Sequence, residues 1–336
     1  MDPLLIGTVL KSIIVLSIVS ALAGFGTYIE RKVLAFMQRR LGPTHVGPFG
    51  LLQIAADGIK LFTKEDIIPS NANKLIFSVA PAIAAATAFI AISAVPLFHT
   101  FEFTVPVINQ LVIVPSVIAD INIGILFVLG MMAAGLYAPL LAGMAQANKW
   151  GIIGSSRTAV QFLSYEVVTG LSVMAPIMLV GSLSLIDFNN AQADGVGSWI
   201  VWQQPVAFVL FLIAGFAETN RTPFDLLEHE AEVVSGYATE YSGLRWGMFF
   251  IGEYANMITI SFLLAIIFCG GYSDIGFVAG WLAMLLKVAF FFFLMLWIRA
   301  AWPHVRPDQL MWLCWKVLMP IAVINIVITG LVVMLG

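Results

Sequence analysis

Apolar runs long enough to cross a lipid bilayer recur along this chain, and nothing else constrains its fold as strongly. A helix needs about 20 apolar residues to span the hydrocarbon core. Eight such runs stand out, at about 4–27, 75–98, 118–145, 158–181, 199–217, 246–269, 276–298 and 313–335. In hydrocarbon every backbone polar group must be paired internally, and runs of this length satisfy that as helices. Of the 336 residues 60% are hydrophobic and 10% charged, and the mean hydropathy is +0.98, which is not a soluble composition. The expectation is an all-α polytopic integral membrane protein, one domain over residues 1–336 with eight transmembrane helices. The first run lacks a basic leader and a small-residue cleavage site, so it reads as a span and not as a removed signal.

Charge gives the orientation. Fourteen of the 16 Lys and Arg lie at 28–75, 147–157, 218–245 and 299–316, while the alternate connections 99–116, 182–198 and 271–275 hold none. Basic residues mark the cytoplasmic side, so both termini are expected to face outward. The remaining two, Lys11 and Lys287, fall inside predicted spans. Cys269 sits at the outer end of span six and Cys314 at the inner start of span eight, too far apart to pair. No CxxC, no GxGxxG after a strand and no P-loop occurs. The chain therefore shows no iron–sulfur, dinucleotide or nucleotide site of its own.

The polar residues gather on the inner side. The stretch AETNRTPFDLLEHEAEVVSG, residues 217–236, carries five carboxylates against one arginine, Arg221. Thr222 can cap a helix beginning at Pro223 and stopping at Gly236. On such a helix Asp225, Glu228, His229 and Glu232 share one face, with Phe224, Leu227, Ala231 and Val234 opposite and Glu230 nearer the apolar side. Carboxylates this close repel, which suits proton transfer; a solvated face is the bland alternative, and the functional reading is placed ahead of it. A second amphipathic helix is predicted at about 51–64, with Gln53, Asp57, Lys60 and Lys64 on its polar face. It either lies in the interface or lines the mouth of an apolar cavity. Glu166, on span four beside a face of Arg157, Gln161, Ser164 and Tyr165, and Glu253, about two turns inside span six, are costly in a membrane. Lys287 calls for an acidic partner, and Arg299 stands at the inner end of the same span; one of the two is expected to neutralise an intramembrane carboxylate, Glu253 or Glu166. Such groups suit a ligand with a polar head and a greasy tail, or equally a proton or ion path. An electron-transfer subunit and a stand-alone secondary transporter both remain open.

The stretches YIERKVLAFMQRRLGPTHVGPFGLLQ, QFLSYEV, AETNRTPFDLLEHEAEVVSGYATEYSG, GEYAN and RAAWPHVRPDQLM resemble the H-subunit family of respiratory complex I, the proton-pumping NADH:quinone oxidoreductase. That is the mitochondrial ND-one type of membrane subunit, and the likeness covers nearly the full length. It implies eight membrane helices walling a quinone chamber, with proton translocation coupled to quinone reduction. It also implies no cofactor on this chain, the FMN and iron–sulfur clusters being held by partner subunits. The implied quinone-facing residues are Arg31, Asp57, Lys60, Arg221, Asp225, Glu228, Arg299 and Arg306. The implied proton path runs over Glu166, Glu218, Glu230, Glu232, Glu240 and Glu253. No catalytic residue or metal ligand is implied. The implied partners are peripheral-arm quinone-site subunits, antiporter-like membrane subunits, quinone and membrane lipid, with no nucleic acid, in a bacterial cytoplasmic membrane. Gly135 stands where certain members carry Glu, and His304 and Pro307 where many carry Arg and Tyr. Homologous subunits of membrane-bound hydrogenases and of ferredoxin- or coenzyme-dependent dehydrogenases are the alternative.

Overall fold

A computed structural model describes residues 3–97, 101–105, 110–114, 116–227, 230–274 and 278–335. Helix α1 (Pro3–Met37) runs ten residues past the predicted span, because no Gly or Pro follows Gly26 before the Gly42-Pro43 break. That extension puts Glu30 and Arg31 on the helix. Helix α2 (Gln53–Thr63) is the predicted amphipathic helix, and none of its residues is buried. Helix α3 (Lys74–Ser93) follows, its first turn capped by Asn73.

The next connection carries a departure from an all-helical chain. Strands β1 (Phe101–Val105) and β2 (Gln110–Val114) pair antiparallel, Phe101 opposite Val114. Val, Thr, Ile and Phe favour a pleated backbone once the chain is clear of the span.

The third span is broken into α4 (Gly124–Gly135) and α5 (Tyr137–Ala145). Pro139 has no N–H to bond the carbonyl of Gly135, so the ladder breaks there. Helix α6 (Lys149–Val180) ends on Gly181, whose φ of 73° forms a left-handed stop. The short α7 (Leu185–Ala191) and α8 (Ile200–Gln203) precede α9 (Pro205–Glu218). Pro205 keeps Gln204 out of the helical region, so the predicted fifth span is interrupted at its start. The remaining helices are α10 (Glu230–Val233), α11 (Gly243–Phe268), α12 (Gly280–Ala301), α13 (Pro307–Trp312) and α14 (Met319–Leu335). A π-helical turn, Leu313–Leu318, joins the last two.

Seven of these helical stretches, among the described residues, are long and apolar enough to cross a membrane, and α9 is a shorter apolar helix. Helix α11 is the centre of the packing: 78% of its apolar stretch is buried, against 17% for the stretch ending in α14. At one end of the bundle Asn73 N–H donates to Ala145 O, Asn148 to Glu240, Ser242 to Glu65 O, and Val305 N–H to Pro223 O. At the other end Lys11 donates to Ser116 O, Gln192 to Ile266 O and Lys287 to Gly271 O. The first end carries all the Lys and Arg except those two lysines.

The acidic stretch folds differently from the sequence expectation. No helix starts at Pro223; residues 221–227 form turns, and α10 is a single turn. Phe224, Leu226 and Leu227 are all buried, and side chains so close in sequence cannot all reach the core from one helix face. Tertiary burial thus overrides the capping signal at Thr222.

Candidate functional site

The long α1 and the folded acidic loop bring four charges together inside the protein. Arg221 lies between Glu30 of α1, 3.6 Å away, and Glu253 of α11, 3.3 Å away. Glu30 also pairs with Arg299, in the last turn of α12. Arg221 is 5% exposed and Glu30 7%, so these charges have little water to screen them. Two tyrosines complete the set. Tyr254 donates to Glu30 Oε2 at 2.7 Å, Tyr237 donates to Glu253 Oε1 at 3.1 Å, and the Arg221 guanidinium lies 4.5 Å from the centre of the Tyr254 ring. Two arginines balance two glutamates, and Asp225 adds its field at Glu253.

This network separates two cavities. One, of about 270 Å³, lies between α1, α2 and α11; Glu30, Arg31, Asp57 and Tyr254 supply polar atoms to walls built from Ala23, Ile54, Leu61, Trp246 and Phe250. The other, of about 30 Å³, is lined by Asn220, Tyr237, Glu253 and Asn256. It has room for a water molecule and enough polar partners to hold one. From there polar side chains continue: Gln161 donates to Asn220 Oδ1 at 3.1 Å and to Ala217 O at 2.9 Å. Glu218 is buried next to Ala217, and Glu166 acts on it electrostatically.

Several sequence-predicted residues thus converge. Arg221, Arg299 and Glu253 share one network, Asp225 adjoins it, and Glu218 and Glu166 form a second group. Arg31 and Asp57 pair at 2.8 Å on the rim of the large cavity, and Gln53 holds Asp57 at 3.0 Å. Lys60 lines a third cavity beside them. Other residues lie elsewhere. Glu232 makes a half-exposed pair with Arg157 at 2.6 Å, and Glu240 accepts from Asn148 at 2.8 Å. Arg306 is exposed and pairs with Asp308 at 3.2 Å, on the loop before α13. Glu228 lies outside the described residues, as does the side chain of Glu230.

Two expectations need correction. Lys287 pairs with no carboxylate among the described residues; its ammonium donates to Gly271 O at 2.7 Å and lies 4.7 Å from the centre of the Trp199 ring. It sits near the opposite end of the bundle from Glu253, and a carbonyl and a ring face replace the acid. Arg299 pairs with Glu30 and not with Glu253 or Glu166. Glu30 escaped the sequence reading because Arg31 and Lys32 beside it place it in a segment read only for its basic charge. The available signal was periodicity: Glu30 falls on the same α1 face as Ala23 and Thr27, which also line the large cavity.

A sequence model of the NADH dehydrogenase family matches residues 10–330. A protein of a Nitratiruptor species is 70% identical over 327 residues, 97% of each chain. One from Wolinella succinogenes is 65% identical over 335 residues, 100% of each, and one from Helicobacter hepaticus 60% identical over 330 residues, 98% of each. All three are named as the H subunit of NADH-quinone oxidoreductase. With a family match over nearly its whole length and relatives at this identity, the chain belongs to the NADH dehydrogenase family.

Proposed function

We propose that the chain is the membrane subunit of a proton-translocating NADH:quinone oxidoreductase, forming the membrane wall of its quinone chamber. The observation that carries this is the cavity of about 270 Å³ between α1, α2 and α11. Its walls are apolar enough for an isoprenoid tail, and Glu30, Arg31, Asp57 and Tyr254 give a quinone head polar groups to meet. Reducing a quinone to a quinol takes two electrons and two protons. This chain carries no cofactor-binding pattern, so we assign electron delivery to partner subunits holding FMN and iron–sulfur clusters. Peripheral-arm subunits then close the chamber at the Lys- and Arg-rich end, and antiporter-like subunits continue the membrane arm.

In this reading Arg31, Asp57, Lys60, Arg221, Asp225, Glu228 and Arg299 face or gate the quinone, and Arg306 guides it from the rim. Glu253, Glu218 and Glu166 carry the proton path inward from Arg221. Glu230, Glu232 and Glu240 feed it from the inner surface. The Lys- and Arg-rich end faces the cytoplasm of a bacterial cell, which places both termini outside. The test is a photoreactive quinone analogue applied to the assembled complex. Labelled peptides are expected within 20–31, 54–61 and 246–254, with the label competed away by excess quinone. Competable label confined to other parts of this chain, or to other subunits, contradicts the assignment.

A further inference from the structure

Beside the large cavity lies another, of about 240 Å³, lined by Lys60, Leu61, Lys64, Tyr241, Ser242 and Trp246. Leu61 and Trp246 line both, so the two cavities share a wall. Neither Lys60 nor Lys64 belongs to an ion pair among the described residues, whereas the nearby Asp57 and Asp66 are already taken by Arg31 and Arg245. Glu65, next in the chain to Lys64, is exposed and outside the cavity lining. Tyr241 donates to Phe77 O at 3.0 Å, and burial pushes its phenol well above the ordinary range, so it adds no negative charge. The cavity thus holds two cations and no carboxylate.

Its place in the fold specifies the source of the missing anion. Helix α2 carries Ile59 and Phe62 at 64% and 73% exposure beside these lysines, and not one of its residues is buried. A helix with greasy and cationic flanks side by side sits at a headgroup boundary, with its lysines at phosphate depth. Trp246, an interfacial ring, closes the cavity at that level.

We propose that this cavity binds the phosphate headgroup of an anionic phospholipid through Lys60 and Lys64, with the acyl chains lying along Ile59 and Phe62. The bound lipid holds α2 in place and with it the wall shared with the larger cavity. The binding claim takes Lys60, which lines this cavity and not the larger one, as a headgroup ligand in place of the quinone-facing role given above; the rest of the claim stands apart from the quinone reading, on which only the effect on that wall rests.

The probe is dioleoyl-phosphatidylglycerol, counted by native mass spectrometry on the assembled complex released from phosphatidylcholine nanodiscs. Each basic residue near an anionic surface adds about 1 kcal/mol, or about five-fold in retention. The double substitution Lys60→Gln, Lys64→Gln is therefore expected to weaken retention about 25-fold and remove one tightly held lipid. Lys149→Gln, an exposed lysine outside the cavity, is expected to leave the count unchanged. Equal retention by the wild type and the double variant overturns the proposal. Displacement of the lipid by millimolar inorganic phosphate also overturns it, because the site then recognises a free anion. Cross-linking of Lys64 to an acidic segment of another subunit, in place of lipid, does the same.

Discussion

Arg221 is the counter-charge shared by two largely buried carboxylates, Glu30 and Glu253. Its guanidinium is the closest counter-charge to Glu253, whereas Glu30 has Arg299 as well. Removing one partner of a buried pair strands the other and costs about 3–5 kcal/mol. Arg221→Gln is therefore expected to lower the amount of assembled complex on a native gel. Adding Glu253→Gln removes the stranded charge and is expected to restore part of it. No recovery in the double variant would mean that Arg221 acts through something other than its carboxylates. By contrast, the half-exposed Arg157–Glu232 pair is screened, and Arg157→Gln is expected to change stability by no more than about 1 kcal/mol. A larger loss of thermal stability there would show that the pair is covered within the complex.

At the scale of elements, the turning of the acidic loop depends on Gly236. Its φ of 50° is a left-handed conformation, and a Cβ added there would stand 1.8 Å from Leu227 O. The backbone of Gly154 on α6 lies 3.7 Å away, so the loop has no room to shift in that direction. Gly236→Ala is expected to displace the loop that carries Arg221 and to abolish stable assembly. Gly195, also at positive φ but with open space around it, serves as the comparison, and Gly195→Ala is expected to cost only about 1 kcal/mol. Equal effects of the two substitutions would leave the close approach at Gly236 without consequence. The sequence marked Gly236 as a helix stop. It could not show that the residue is a contact point between two distant segments, since that depends on where α6 passes.

For the whole molecule, spans and their grouping of charge were legible because a bilayer imposes them locally, residue by residue. Seven helices run where apolar runs predicted them, and α2 appears at its amphipathic period. What escaped were features set by packing. The acidic loop looks like a capped helix, yet Phe224, Leu226 and Leu227 turn inward and unwind it. Lys287 demands a partner, and a backbone carbonyl supplies it 16 residues away. Glu30 is hidden within a basic cluster until α1 extends past the membrane. The end-to-end division of charge also gives a topology test. Cysteines placed at the exposed Asp194 and Glu65 are expected to react with an impermeant reagent from the outside and from the inside respectively. Reaction of both from one face would refute the bundle's orientation.

In the proposed function, buried charge on this chain couples quinone chemistry to proton movement without itself carrying electrons. The most direct measurement compares two assays on membranes bearing Glu253→Gln, with complex content matched on a native gel. Gln keeps the volume and the hydrogen-bond acceptor for Tyr237 but cannot exchange a proton. Quinone-linked turnover with proton pumping is expected to fall about ten-fold or more, the equivalent of about 1.4 kcal/mol at the barrier. Electron transfer from the donor to an artificial acceptor that bypasses quinone is expected to stay at the wild-type rate. Normal quinone turnover with normal pumping would contradict this coupling role, and so would loss of both assays at equal complex content.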